Sequence, residues 1–365
     1  MKMIMLSLMV LTAGCSSWDQ KDFEKELEKT AHENGQDPTV VVTSKKEERI
    51  LEKFEVQPIE EKKVEESTPK KIPAPKKTVH KKAPVPASSK VKTTIKETTP
   101  APVAAPAPTV KALPADYPPE LVAINERAKK VWDVYKPNHY VDQKFYLNIN
   151  YLGMTVGKIM VLNKGKKMIN DKEVWHLYAK FKSAPFYSNI YELDDTVDTY
   201  VTTDKFLSTR YSLIQRETKQ DVDDLQLHDR DQLKTFSFYH RKKSDGKVKD
   251  KKEEKYIPYY SIDPFSVVFF YQGLPLKNND VYEIPIINKG KILILRSVVE
   301  GREKISTKKG TRQAIRLHAT TKYTGETLKS GDLYFWFSDD DSRTLLKAQA
   351  KIKIGSVTAD IVDSE

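Results

Sequence analysis

From Gln143 onward the hydrophobicity of this chain alternates with a period of two, and that alternation restricts the fold more than any other feature. Phe145, Leu147, Ile149 and Tyr151 alternate with Lys144, Tyr146, Asn148 and Asn150, and Gly153 turns the chain toward Val156–Leu162. Trp175, Leu177, Ala179 and Phe181 repeat the pattern. Further strand-like runs follow at Thr196–Val201, Leu207–Arg216, Leu233–His240, Lys291–Val299, Gln313–Thr320, Leu333–Phe337, Leu346–Ile354 and Val357–Val362. Turn signals fall at Asn163-Lys164-Gly165, Asp245-Gly246, Lys309-Gly310 and Ser330-Gly331. Successive side chains of a strand point to opposite faces, so alternation with short connections predicts antiparallel pairing around one apolar face. So many strands in one sheet curl or close rather than lie flat. The expectation for residues 142–365 is a mainly β domain, an antiparallel rolled sheet or barrel-like body. The lysine-rich stretch Arg241–Lys255 predicts a solvated loop at a hairpin tip, whose charges discourage edge-to-edge pairing.

One segment breaks the alternation. Phe265-Ser266-Val267-Val268-Phe269-Phe270-Tyr271 is apolar nearly all round, and it is bracketed by Asp263-Pro264 and Gly273. Asp at an N-cap, Pro at N1 and Gly near C′ predict a short helix that must be buried in the mouth or concave side of the sheet. A buried strand is the alternative. Upstream, Leu121, Ile124, Ala128, Val131 and Tyr135 recur on one helical face between Asp116 and Pro137. They predict a helical collar over residues 116–141, capped by Asp116.

The chain begins very differently. Lys2 precedes the apolar run Met3–Val10, then Leu11-Thr12-Ala13-Gly14-Cys15. A positive start, a short apolar stretch and small residues before a cysteine describe a secretory signal. The stretch is too short for a bilayer, which takes about 20 apolar residues. It resembles the precursor segment of bacterial lipoproteins, with Thr12 where their box prefers Leu. That resemblance implies a signal peptide over residues 1–14, lipidation of Cys15 and membrane attachment through the lipid. Cys15 is the single cysteine of the chain, and an unpaired exported thiol would otherwise be reactive. Ser16 follows it rather than Asp, which by the same resemblance favours an outer-membrane lipoprotein facing the periplasm.

Residues 15–115 read as a largely disordered, Lys/Pro-rich linker. Trp18, Phe23, Leu27 and Ala31 suggest a short amphipathic helix, and Ser44-Lys45-Lys46-Glu47 a capping box ahead of Ile50, Leu51 and Phe54. Both helices are marginal alone at this length and are expected to be nascent, or docking motifs for a partner. Between Glu66 and Ala115 there are no aromatics, and ten lysines face two glutamates. Such composition cannot bury enough apolar surface to offset its ordering entropy. Most of the +11 formal charge of the chain therefore sits on the linker. Export argues against nucleic acid as the partner; the lysines are read as keeping the linker solvated and extended, with weak attraction to anionic envelope polymers or lipid headgroups as the alternative.

Five blocks carry a family resemblance: YLNINYLGMTVG at Tyr146–Gly157, YSNIYELDDTVDTYV at Tyr187–Val201, IDPFSVVFFYQGLPL, VEGREKISTKKGTRQAIRL, and GDLYFWFSDDDSRTLLKAQAKIKIGSVTADI. Their order and spacing resemble the family catalogued as domain of unknown function 3108. The resemblance implies an exported, envelope-located β domain and supplies no activity or catalytic residues.

The residues themselves carry little chemistry. His139, His176, His228, His240 and His318 show no metal-ligand spacing, so neither a metal nor a cofactor is expected. His176 and His240 are expected on strand faces. Asp194-Asp195 with Asp198, and Asp339-Asp340-Asp341, are read as turn formers at strand ends. As a pair of carboxylate groups they would serve a polysaccharide hydrolase only if brought together. Tyr256, Tyr259, Tyr260, Tyr271, Trp175 and Trp336 are read as core, with sugar stacking or an acyl groove as alternatives. The leading expectation is a non-catalytic envelope module that binds a polymer, lipid or protein. A lipid carrier sheltering an acyl chain, and the hydrolase, are the alternatives.

Overall fold

A computed structural model describes residues 37–59, 113–139, 142–323, 332–352 and 354–364. The predicted signal peptide, Cys15, the helix at 18–35 and most of the Pro-rich segment lie outside the described residues. Residues 1–59 and 115–365 form one compact unit, and residues 60–114 form another. Only the first is described below.

Two helices precede the sheet, α1 (Lys45–Lys53) and α2 (Pro119–Val134). The strands that follow are β1 (Lys144–Tyr151), β2 (Met154–Ile169), β3 (Lys172–Ser183), β4 (Asp194–Thr202), β5 (Ser208–Glu217), β6 (Gln220–Asp229), β7 (Lys234–Lys243) and β8 (Val248–Tyr256). A single turn, α3 (Pro185–Ser188), lies between β3 and β4, and α4 (Val267–Gln272) follows β8. The chain ends in β9 (Val281–Asn288), β10 (Lys291–Thr307), β11 (Gly310–Tyr323), β12 (Leu333–Ser338), β13 (Leu345–Lys351) and β14 (Ser356–Ser364).

These strands make one fourteen-stranded antiparallel sheet in the order β8-β7-β6-β5-β4-β3-β2-β1-β14-β13-β12-β11-β10-β9. Every pairing joins chain neighbours except β1 with β14, which unites two meanders at the centre. Register shifts interrupt β1, β2, β4, β10 and β12. Such bulges bend a strand and increase its twist, which lets a long sheet roll.

The two edges, β8 and β9, are not hydrogen-bonded to each other. Side chains bridge them instead. Tyr117, Leu121 and Ile124 at the start of α2 pack with Ile257 after β8 and with Ile287 and Ile292 of the β9–β10 hairpin. Beside β9, Ile262 forms a parallel bridge to Ile286.

On the inner face, alternating residues such as Phe145, Leu147, Val161, Leu177, Ala179 and Val197 share a core with α4 and one side of α2. Phe269, Phe270 and Tyr271 are fully buried there. Phe270 stacks on Tyr135 at 4.6 Å and 9°, and Tyr271 lies 5.6 Å from both Phe335 and Phe337. The segment is thus a buried helix, as its apolar circumference requires.

Its ends differ from the expected caps. Ser266, not Asp263, precedes the helix. Asp263 instead accepts from the backbone N–H of Phe265 and Ser266 and from the hydroxyls of Thr199 and Ser208. Gly273 has an ordinary φ of −88°. Glycine is required for space, because a Cβ there would overlap the Tyr135 ring and the Lys136 carbonyl. In α2 the apolar stripe is buried as expected, together with Trp132. Asp116 is not its cap: Pro118 holds that position, and Asp116 accepts from the Tyr256 hydroxyl.

Three strands have no counterpart in the sequence expectation. Arg241–Lys255, expected to be a loop, continues β7 and forms most of β8, an edge strand exposed along its length. Its alternating charges meet partners across the strand pair, His240 with Asp250 and Lys234 with Glu254, each at 2.7 Å. An edge strand with no apolar face leaves no apolar alternation to read. In β6 the inner positions are polar (Asp224, Gln226, His228), and Leu225 and Leu227 face outward. β9 is the third. A fourth correction concerns Asn163-Lys164-Gly165, which is not a hairpin turn. It is a bulge inside β2, with Gly165 at φ 84° and its N–H donated to Asn163 Oδ1.

A candidate ligand groove on the outer face

Residues 37–59, assigned by composition to the linker, lie as a strap across the outer face of the sheet. Ser44 caps α1, accepting from Glu47 N–H at 3.3 Å. Glu47 closes the box one residue earlier than usual, on Thr43 N–H at 2.7 Å. The Lys252 ammonium, then that N–H, pull its carboxyl down to about 2. Alone this helix is marginal. Here Ile50, Leu51 and the buried Phe54 pack against Ile169, Val174, Tyr200, Leu225, Leu227, Phe236 and Phe238. Those outward leucines and phenylalanines would otherwise be an exposed apolar patch. The expected nascent helix is therefore a docked one.

Polar contacts hold the strap at both ends. Gln57 exchanges two backbone hydrogen bonds with Met168, each 2.9 Å. Arg210, buried on β5, donates to the Phe54 carbonyl at 3.2 Å and to Asp37 at 2.5 Å. Lys53 reaches Asp229 at 2.6 Å.

Between strap and sheet lies a cavity of about 930 Å³. Lys164, Lys167, His176, Tyr200 and Arg210 line it from the sheet, and Asp37, Glu52 and Glu55 from the strap. The bulge in β2 supplies Lys164 and Lys167. Neither has a carboxylate partner within ion-pair distance among the described residues. His176 stacks on Tyr200 at 4.4 Å and bonds through Nε2 to Asp198 at 2.6 Å. Burial pushes the imidazole below its ordinary value; Asp198 opposes this, and Lys164 and Lys167 add to it. A neutral ring facing a carboxylate carries its proton on Nε2, so Nδ1 is an acceptor, and it has no hydrogen-bond partner among the described residues. Burial likewise pushes Lys164 downward. The groove offers cationic donors and one acceptor on a rigid floor. Among the described residues that line it there is no Ser, Thr or Cys.

The structure separates most of the other residues singled out by sequence. Asp194 and Asp195 open β4, at a strand end as expected, while Asp198 lies in its middle, so the three are strand residues and not turn formers. Asp195 is buried on the inner face, accepting from Gln215 Nε2 at 3.0 Å and Arg216 N–H at 3.2 Å. Burial pushes it up to about 7. Asp339–Asp341 form the β12–β13 turn, tied to Arg302, Arg312 and Arg343. β4 and β12 stand six positions apart in the sheet order, and no bond links the two clusters.

The aromatic candidates are dispersed as well. Tyr271 is core; Tyr259 and Tyr260 adjoin Trp132 near the sheet edges; Trp336 lies on the outer face under Arg316 and Lys347. His240 rides on the outer part of β7 beside Asp250. Among the described residues no His, Cys, Asp or Glu group has the arrangement of a metal site. No helix among them is long and apolar enough to cross a membrane. Arg210, Lys164, Lys167 and Asp198 as a set escaped the sequence reading. An Asn-x-Gly step within an alternating run was their one available signal, as a bulge.

The geometry defines a rolled antiparallel sheet with a helix-filled interior and an outer-face groove under an N-terminal strap. The chain belongs to the family described as "Protein of unknown function (DUF3108)", whose profile matches residues 146–362. No curated protein matches it. Among solved structures it is similar to a beta-barrel-like protein of domain of unknown function DUF1849 from Brucella abortus, at 10% identity and TM-score 0.42, covering 62% of this chain and 97% of that one. It is also similar to a protein provisionally described as a lipoprotein from Parabacteroides distasonis, at 8% identity and TM-score 0.29, covering 64% and 99%. A third is a provisionally described exported protein with a YmcC-like fold from Bacteroides fragilis, at 8% identity and TM-score 0.30, with the same coverage.

Proposed function

We propose that this protein is a non-catalytic binding module tethered to the cell envelope by lipid on Cys15, and that the groove under the strap takes an anionic group of an envelope polymer or lipid. One observation carries the reading: Lys164, Lys167 and Arg210 converge with His176 on one cavity floor. Among the described residues Lys164 and Lys167 have no carboxylate within ion-pair distance, Asp198 acting on Lys164 only from farther away, so an incoming phosphate or carboxylate would supply a direct partner. Tethering follows from the lipoprotein-like segment ending at Cys15, with the periplasmic side of the outer membrane as the expected location. The basic segment 66–115 would add weak, salt-sensitive attraction to the same anionic surfaces.

The lipid-carrier reading needs a continuous apolar cavity beneath Pro264–Tyr271, and there Phe145, Phe206, Phe335 and Phe337 pack against α4. The hydrolase reading needs the two acidic clusters in one cleft, whereas Asp195 is buried on the inner face of β4 and Asp339–Asp341 are an exposed turn engaged by arginines.

The test is calorimetric titration with glycerol phosphate, the group common to anionic lipids and phosphate-bearing polymers. The chain should bind it, and Lys164→Gln with Lys167→Gln should weaken binding at least tenfold. Equal affinity of wild type and double variant would overturn the assignment of the groove. Cys15→Ser should abolish fatty-acid labelling, and labelling as strong as wild type would remove the tether.

A further inference from the structure

The covalent order of the chain and its contacts disagree about what connects the N-terminus to the β unit. By sequence, 128 residues separate Cys15 from Lys144, the first residue of β1. By contact, the unit that contains the sheet already includes residues 37–59.

The strap is held over a wide span of sheet. Gln57 pairs with Met168 of β2. Arg210 of β5 grips Asp37 and the Phe54 carbonyl, Lys53 pairs with Asp229 of β6, and Glu47 and Lys46 meet Lys252 and Glu254 of β8. Phe54 retains 3% of its exposure, in a cluster contributed by β2, β3, β4, β6 and β7.

We infer that residues 37–59 are a clamp, a cis docking segment that fastens everything N-terminal to Asp37 directly onto the outer face of the sheet. The mechanical link between the residues N-terminal to Asp37 and the sheet runs through this clamp and does not depend on the covalent path through residues 60–114. Where Cys15 bears lipid, the reach of the β unit is set by residues 15–36, at most about 75 Å when fully extended. That distance is far less than the linker composition suggests. The clamp does not depend on what the groove binds, nor on lipid at Cys15.

A protease sequence inserted between Ser88 and Ser89 of the full chain, held in detergent, tests the inference. After complete cleavage the two fragments should co-elute from a sizing column at about 1 μM, because the clamp holds them without the covalent loop. Phe54→Ala with Lys53→Ala should release the N-terminal fragment after the same cut, lowering its retention at least tenfold. Circular dichroism should show the β unit of that variant still folded. Separation of the wild-type fragments after cleavage, or full retention in the folded double variant, would refute the clamp.

Discussion

Lys53 Nζ stands 2.6 Å from Asp229 Oδ2, pairing a half-exposed lysine of α1 with a carboxylate whose side chain is 2% exposed at the end of β6. Burial alone would raise Asp229. Lys53, with the N–H groups of Gln232 and Asp231, outweighs it and holds the carboxyl below its ordinary value. Lys53→Met removes the cation and leaves Asp229 its three shorter-range donors. The expected loss is about 1–2 kcal/mol of strap docking, below the cost of a fully buried pair because Lys53 is partly solvated. Faster proteolysis at residues 40–58 with an unchanged β-unit melting temperature would show it. Because the folded pKa of Asp229 is depressed, its contribution is complete above the unfolded value near 3.8 and is lost as pH falls further.

Stability should respond to pH through two groups of opposite sign. His228 is fully buried, with Nδ1 on Thr235, and burial, then Arg230, push its pKa well below the ordinary value. A histidine depressed in the folded state favours unfolding as pH falls below about 6.5, since the unfolded chain then binds the extra proton. His228→Gln should flatten that acid limb in thermal scans between pH 6.5 and 5.

Asp195 works the other way. Burial lifts it to about 7, with Glu217 adding to the shift and Gln215 opposing it. Its ionisation therefore costs stability as pH climbs from about 4 through 7, by at most about 4 kcal/mol. Asp195→Asn should raise the melting temperature at pH 8 and leave it unchanged at pH 4. A stabilisation equal at both pH values would contradict the assignment.

Gly273→Ala tests the junction between α2 and α4. The new methyl would overlap the Tyr135 ring and the Lys136 carbonyl, and Lys136 N–H already bonds to Gly273 O at 2.8 Å. Overpacking of this kind costs about 1–3 kcal/mol. Near-ultraviolet circular dichroism should change as Tyr135 loses its stacking on Phe270.

How far the fold was legible depends on whether a segment carries its own reason for its conformation. The alternation through Phe145, Leu147 and Ile149 and through Trp175, Leu177 and Ala179 states which side chains share a face, and those strands and the rolled sheet are present. Phe269-Phe270-Tyr271 states burial by its lack of any polar side, and the helix is buried. β8 was not legible, because its stability comes from charged partners on β7 and not from an apolar face. The groove was not legible either: Lys164, His176 and Arg210 come from three strands, and nothing local relates them.

The sequence by itself therefore determined the β architecture, the burial of Phe265–Tyr271 and the family, because period and composition are local properties that burial must satisfy. Only the tertiary structure decided that β1 meets β14 and that α1 docks onto Leu225, Leu227 and Phe236. An amphipathic stripe of Ile50, Leu51 and Phe54 demands some apolar surface, yet it does not name one. The partner is chosen by contacts more than a hundred residues away, whose free energy exists only once the sheet has formed.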